Sequence, residues 1–478
     1  MDLRLIKRID SRVGASCLVA GAMVLAGCIS PPKSQMDKLS VEAPSAWASE
    51  STAGDFQPMQ WMADFNDPML ESILREALEH NYNLQAAEAR LESQIAGTVV
   101  AQSGIWPTLN ATTGVSESRS SSADGLQRAR NLNKNYSLNG RFNWEIDLWG
   151  RVRNGYRGDL ADAESSMAEY RATRLSIAGR TAKAWYAAIE ASQQHELAHQ
   201  TLESIRSSSE IVEENFKRGI ARALDVRLLR ANVASNESTL ETRLRARDAA
   251  IRNLETLLGR YPAKELKIAS ELPEIKGSVP AGLPTDLLLR RPDVLAAERD
   301  LAALEQRKFE AKKAFLPNIS TTLSRGTRVG EREDLFELMD FRTWSKRLDV
   351  SVPVFQGRRL SASAKRAKAN YEQSLADFAN TALTAFREVE NALANQDSFA
   401  RDYEFQKVAR DESVAAEELA WEQYGRGLSD ITTALDAVRR SISAQRSFIQ
   451  VSNQRIQGRI DLYLALGGGF DFESETDN

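Results

Sequence analysis

Cysteine and histidine are nearly missing from this chain. It has two cysteines, Cys17 and Cys28, and three histidines, His80, His195 and His199, in 478 residues. That scarcity leaves little material for a disulfide framework or a zinc site. His195 and His199 stand four apart, a spacing that can ligate metal, but their helical pattern is polar and offers no third ligand, so they read as exposed surface. Long apolar runs are absent as well. With 27% charged residues and a mean hydropathy of -0.41, no stretch after the N-terminus qualifies as a conventional transmembrane helix. A large excess of one charge sign is also lacking: the formal net charge of -4 argues against a nucleic-acid partner. No catalytic constellation and no cofactor motif stands out, and the chain reads as a non-enzyme.

What is there begins with a targeting segment. Arg4, Lys7, Arg8 and Arg12 form a basic start, and Val13 to Leu25 form an apolar core too short to span a bilayer once matured. The segment ends in LAGC, Leu25 to Cys28, which resembles the bacterial lipobox. That motif implies removal of residues 1–27 and acylation of Cys28, with residues 28–60 as a lipidated N-terminal arm. Removal takes away four basic and two acidic residues, so 58 basic against 64 acidic gives about -6. Ile29 follows the cysteine in place of an aspartate retention signal, which favours sorting to the outer membrane. One acylated cysteine anchors a protein without making it span.

The rest of the chain says one thing twice. Ala86, Ala87, Glu88, Leu91, Ala101, Pro107 and Thr112 recur 210 positions later as Ala296, Ala297, Glu298, Leu301, Ala311, Pro317 and Thr322. Trp144–Arg151 corresponds to Val350–Arg359, Phe216–Ile220 to Tyr424–Leu428, and Leu257–Gly259 to Ala465–Gly467. Four landmarks in one order at nearly constant offset mean a tandem structural duplication. Repeat 1 covers 61–260 and repeat 2 covers 285–469. Between them, 261–284 forms a connector within an irregular run from Tyr261 to Pro292, and 470–478 is an acidic tail.

Within each repeat the hydrophobic period changes twice. Residues 68–104 and 285–314 carry helical patterns that stop before Pro107 and Pro317. The period then becomes two. Tyr136, Leu138, Phe142, Trp144, Ile146 and Leu148 alternate with polar residues, as do Trp344, Leu348, Val350, Val352 and Val354. With partners starting at Thr108 and Asn318, this predicts two hairpins with long polar loops, suited to a barrel wall with one lipid face or to a soluble sandwich. After Arg151 the period becomes seven. Tyr156, Ala163, Tyr170, Ile177, Ala184, Ala191, Ala198, Ile205 and Val212 keep step, and in repeat 2 so do Ala364, Tyr371, Phe378, Ala385, Ala392 and Phe399. A sustained seven-residue repeat predicts helices supercoiled against neighbours. From Arg151 to Lys217 there is no proline, so one helix of roughly 100 Å is expected.

Four strands are too few to close a barrel, and an open sheet edge cannot face lipid. Closure calls for more copies, and three would supply twelve strands, within the range of transmembrane barrels. A lipid-anchored periplasmic coiled-coil scaffold without a pore is the other reading of the same pattern.

The run LPTDLLLRRPDVLAAERDLAAL followed by FLP, with the lipobox, the Arg-Gly turns and the duplicated helix–hairpin–helix unit, resembles the TolC-like outer-membrane efflux factors. The closest likeness is to the lipoprotein branch of the OprM and NodT type, and it runs from about Trp61 to Gly467. It implies a mainly α homotrimer with a 12-stranded transmembrane β-barrel in the outer membrane and a long α-helical barrel through the periplasm. The implied role is the passive exit duct of a tripartite export system, working with a periplasmic adaptor and an inner-membrane efflux pump. It also implies site roles. Arg218, Gly219 and Ile220, with Arg426, Gly427 and Leu428, would form periplasmic tips that meet the adaptor. Asp225 and Tyr424 would form a gate latch, and Asp436 an acidic constriction. The chain departs from the pattern at Ser429, where some members carry a basic latch residue, and at Thr433, where an aspartate would be expected.

Overall fold

The sequence repeat is also a repeat of elements in the computed structural model, which describes residues 30–49, 64–124, 127–275, 277, 279–282, 284–329 and 343–468. Repeat 1 contains α1 (Pro68–His80), α2 (Tyr82–Ser103), β1 (Thr108–Asp124), β2 (Gln127–Glu145), α3 (Arg151–Lys217) and α4 (Ala223–Leu257). Repeat 2 contains α5 (Pro284–Arg290), α6 (Pro292–Lys313), β3 (Asn318–Val329), β4 (Thr343–Ser351), α7 (Arg359–Gly425) and α8 (Ile431–Ala465). Both long helices have 67 residues and both returning helices 35. Cys28 and the 470–478 tail lie outside the described residues.

Three expectations need correction. The patterns over 68–104 and 285–314 are each broken once, at Asn81 and at Arg291. Asn81 is extended, and its side-chain oxygen accepts from the N–H groups of Asn83 and Leu84, which starts a new helix. Arg291 precedes Pro292, and the proline disfavours helical backbone before it. The irregular run to Pro292 contains α5, which opens on Pro284 at its first turn and buries Leu287. The first hairpin has no long polar loop: its ladder runs from Thr108↔Asn143 out to Asp124↔Gln127. Serine-rich sequence reads as loop yet forms strand here, because a ladder needs backbone groups and not apolar side chains.

The chain divides into two compact units. One comprises 1–39, 91–167 and 296–378; the other comprises 40–90, 168–295 and 379–478. The first holds the sheet, in the order β1-β2-β3-β4 with every pairing antiparallel, so the two repeats join at β2 and β3. Its helices α3 and α6 approach closely over small residues. Ala161, Ala302 and Ala303 are fully buried, and the Ser165 hydroxyl donates to the Ala296 carbonyl at 3.1 Å. Ion pairs flank this seam, Arg299 with Glu164 at 3.1 Å and Arg307 with Asp159 at 3.2 Å. Part of the N-terminal arm also packs here: Lys38 reaches Glu305 at 2.5 Å.

The second unit has the larger apolar core, with Phe65, Leu70, Leu74, Trp185, Tyr186 and Ile189 almost completely buried. The heptad positions Ile177, Ala184, Ala198, Ile205 and Val212 are buried, as expected of a helix with neighbours along one seam. Asp67 does two things at once. One carboxylate oxygen caps α1 through the N–H groups of Met69 and Leu70, and the other accepts from the buried Trp185 indole at 2.8 Å. The arm continues in this unit, where the Trp47 indole donates to the Gly282 carbonyl at 3.0 Å.

Candidate functional site

The tips where α3 passes to α4 and α7 to α8 are built from glycine. In the first turn Gly219 has φ +76 and its N–H donates to the Phe216 carbonyl, while the Ile220 N–H reaches back to Asn215 at 2.8 Å. In the second, Gly427 has φ +71, with Gly427 N–H on Tyr424 and Leu428 N–H on Gln423 at 2.9 Å. This paired closure terminates a helix with one left-handed residue. Nothing lies within 4 Å of where a Cβ would stand on either glycine, so the demand for glycine comes from the dihedral alone. The flanking residues point outward. Arg218, Ile220, Arg426 and Leu428 are all exposed, Ile220 at 72% and Leu428 at 74%, and Leu224 and Phe216 add apolar surface nearby.

Beneath these turns the four long helices share one apolar cluster. Val212, Val226, Leu229 and Ile431 are buried, and Trp421, Tyr424 and Leu435 pack against them. The Trp421 and Tyr424 rings meet edge to face at 5.9 Å. The structure thus brings the two predicted latch residues to one place within a single chain. Tyr424 is half-buried, and its phenol is pushed above its ordinary value first by burial and then by the charge of Asp225. Asp225 itself is 4% exposed.

Both Asp225 oxygens are engaged by Arg222: the Arg222 backbone N–H donates at 3.2 Å, Nη2 at 3.1 Å and Nε at 3.4 Å. Sequence reading missed Arg222, because arginine is not a helix-starting residue type. It also missed Asp430, although Asp-Ile-Thr-Thr is an N-cap signature. The Asp430 carboxylate accepts from the Thr433 N–H at 2.8 Å and from the Thr432 and Thr433 hydroxyls at 2.7 and 2.9 Å, which lowers it to a pKa of about 2. Ser429 donates to the Asp430 carbonyl, and Thr433 serves this cap.

Asp436 stands apart from that cluster on α8. Its carboxylate pairs with Arg439 and, at 2.8 Å, with Arg440, and both hold it below the usual carboxylate range. The two arginines are well exposed, so this patch carries two cations for one anion. His199 lies 3.8 Å from Glu203, and His195 is lowered by partial burial. Among the described residues no cluster of His, Cys, Asp or Glu is arranged to hold a metal, and no helix is long and apolar enough to cross a membrane.

A duplicated chain of long helical hairpins with glycine tips and an uncovered antiparallel sheet is the protomer architecture of an outer-membrane efflux channel. Residues 73–260 and 283–468 match the model of the outer membrane efflux protein family, and the chain belongs to that family. It is 31% identical over 417 residues to the solvent efflux pump outer membrane protein SrpC of Pseudomonas putida, covering 85% of this chain and 86% of that one. It is 28% identical over 465 residues to the probable efflux pump outer membrane protein SepC of Pseudomonas putida, covering 95% and 96%. Among solved structures it is similar to the outer-membrane channel OprN, with TM-score 0.81 at 25% identity over 92% of this chain and 99% of that one.

Proposed function

We propose that this chain is one third of an outer-membrane duct, the exit component of a tripartite export system with a periplasmic adaptor and an inner-membrane pump. The observation that carries the reading is the state of the sheet edges. All nine residues of β4 are exposed, and so are Thr108–Arg119 of β1, on both faces. These include Leu109, Val115, Trp344, Leu348 and Val350. Such edges offer unpaired backbone groups and apolar side chains together, which lipid does not tolerate and a second chain satisfies. Three chains joined β4 to β1 give twelve strands and leave no edge.

The site roles follow from this reading. The exposed apolar tips at Ile220, Leu224 and Leu428 are the surface offered to the adaptor. Asp225 and Tyr424 belong to the closure of the tips, and Asp436 stands at the constriction. Cys28 carries the lipid that adds a periplasmic-side anchor to the barrel. The duct is passive, and energy comes from the pump. Purified protein inserted into planar lipid bilayers is the test: discrete channel conductance supports the duct, and silence with full lipid association supports an anchored scaffold.

A further inference from the structure

The starts of α4 and α8 are related by the repeat. Arg222 and Asp430 lie 208 positions apart, the same offset that relates the two helices, yet they carry opposite charges. Asp430 caps its helix in the ordinary way, with three hydrogen bonds to its carboxylate. Arg222 does the reverse. A guanidinium has no acceptor to offer the free N–H groups, and a cation at a helix N-terminus opposes the helix dipole. Helix formation therefore does not account for arginine at this position.

Its neighbours do. Arg222 covers the Asp225 carboxylate, which sits over the Val212, Val226, Leu229 and Ile431 cluster, where a bare charge would be costly. Ile431, the first residue of α8, belongs to the same cluster, so Asp430 is held beside the start of α4. Most of the Arg222 side chain remains exposed, and Asp430 is near enough that each charge favours the other.

We propose that Arg222 is the cationic member of a within-chain clasp, joining Asp225 at the start of α4 to Asp430 at the start of α8 and holding the two helical hairpins together at their tips. It is a positioning residue for closure, and it rests on the reading of the chain as a duct whose tips close.

Two substitutions separate the clasp from the caps. Arg222→Ser installs a better N-cap while removing the cation, and Asp430→Asn keeps a capping oxygen while removing the anion. Each is expected to raise single-channel conductance in planar bilayers several-fold, with only a modest change in the Arg222→Ser melting temperature, the better cap offsetting part of the cost of uncovering Asp225. The double variant is expected to conduct no more than Arg222→Ser alone, because that substitution already removes the partner of Asp430. Wild-type conductance in Arg222→Ser, or additive gains in the double variant, would overturn the clasp. If the wild-type protein forms no channel, the duct reading fails. Hydrogen exchange at residues 427–434 then decides the clasp by itself: faster exchange in Arg222→Ser supports it, and unchanged exchange refutes it.

Discussion

Asn81 and Arg291, 210 residues apart, occupy the same place in the two repeats with different chemistry. Each is buried at the break between two helices, and each donates to the last helical carbonyl of the returning helix. Asn81 Nδ2 reaches Leu257 O at 2.7 Å, and Arg291 Nη1 reaches Ala465 O at 3.1 Å. The arginine also binds Asp293 at 2.6 Å and Glu388 at 2.7 Å, which satisfies the rest of its buried fork. Asn81→Ala removes this bond and the cap on α2 together. A loss of about 1–3 kcal/mol in unfolding free energy is expected in denaturant titration. A loss below a few tenths would show that the Leu257 carbonyl finds another donor.

The glycines after these carbonyls are not equivalent. Gly259 and Gly467 have φ of +73 and +72, so any side chain is strained at both. A Cβ on Gly259 would also stand 2.5 Å from the backbone oxygen of His80, whereas on Gly467 the nearest atom is the Arg291 side chain at 3.3 Å. Gly467→Ala should cost about 1–2 kcal/mol, the left-handed penalty alone. Gly259→Ala should cost clearly more, since backbone must move. Equal melting-temperature losses would contradict the close approach of the His80 backbone to Gly259.

At Asp436 the prediction concerns sign. The carboxylate is outnumbered by Arg439 and Arg440, so Asp436→Ala uncovers two cations. Reversal potentials in a salt gradient should shift toward anion preference. An unaltered reversal potential removes Asp436 from the constriction.

Asp430 gives the tips an acid limit. Its folded pKa is about 2 against an ordinary 3.8, through hydrogen bonds from Thr432 and Thr433. A depressed carboxylate contributes fully above its unfolded value and loses that contribution as pH falls through the folded one. Tip closure should therefore weaken between about pH 4 and pH 2, seen as rising open probability in bilayers. Asp430→Asn should lack that step; a variant that retains it assigns the acid response to another group.

Much of this was legible in the sequence, and the reasons differ by residue. The duplication could be read because apolar positions recur at fixed offset, and the tips because glycine is the one residue that reverses a helix without strain. The Asn81 break was hidden, since the 3.6-residue period runs through it unbroken. The full length of β1 was hidden by serines, which pair through backbone as well as valines do. Asp225 was named through the family likeness, but its partner Arg222 was not. An arginine at an N-cap contradicts local preference, and only packing around Ile431 and Val226 gives it a reason.

The most direct measurement targets the two bare edges. Cysteines introduced singly and together at Thr112 on β1 and Arg347 on β4 are oxidised in outer membranes, and the products are counted on denaturing gels. The account predicts crosslinks only when both cysteines are present, in a ladder that ends at three chains. A ladder that stops at one chain, in membranes that retain the protein, would contradict it.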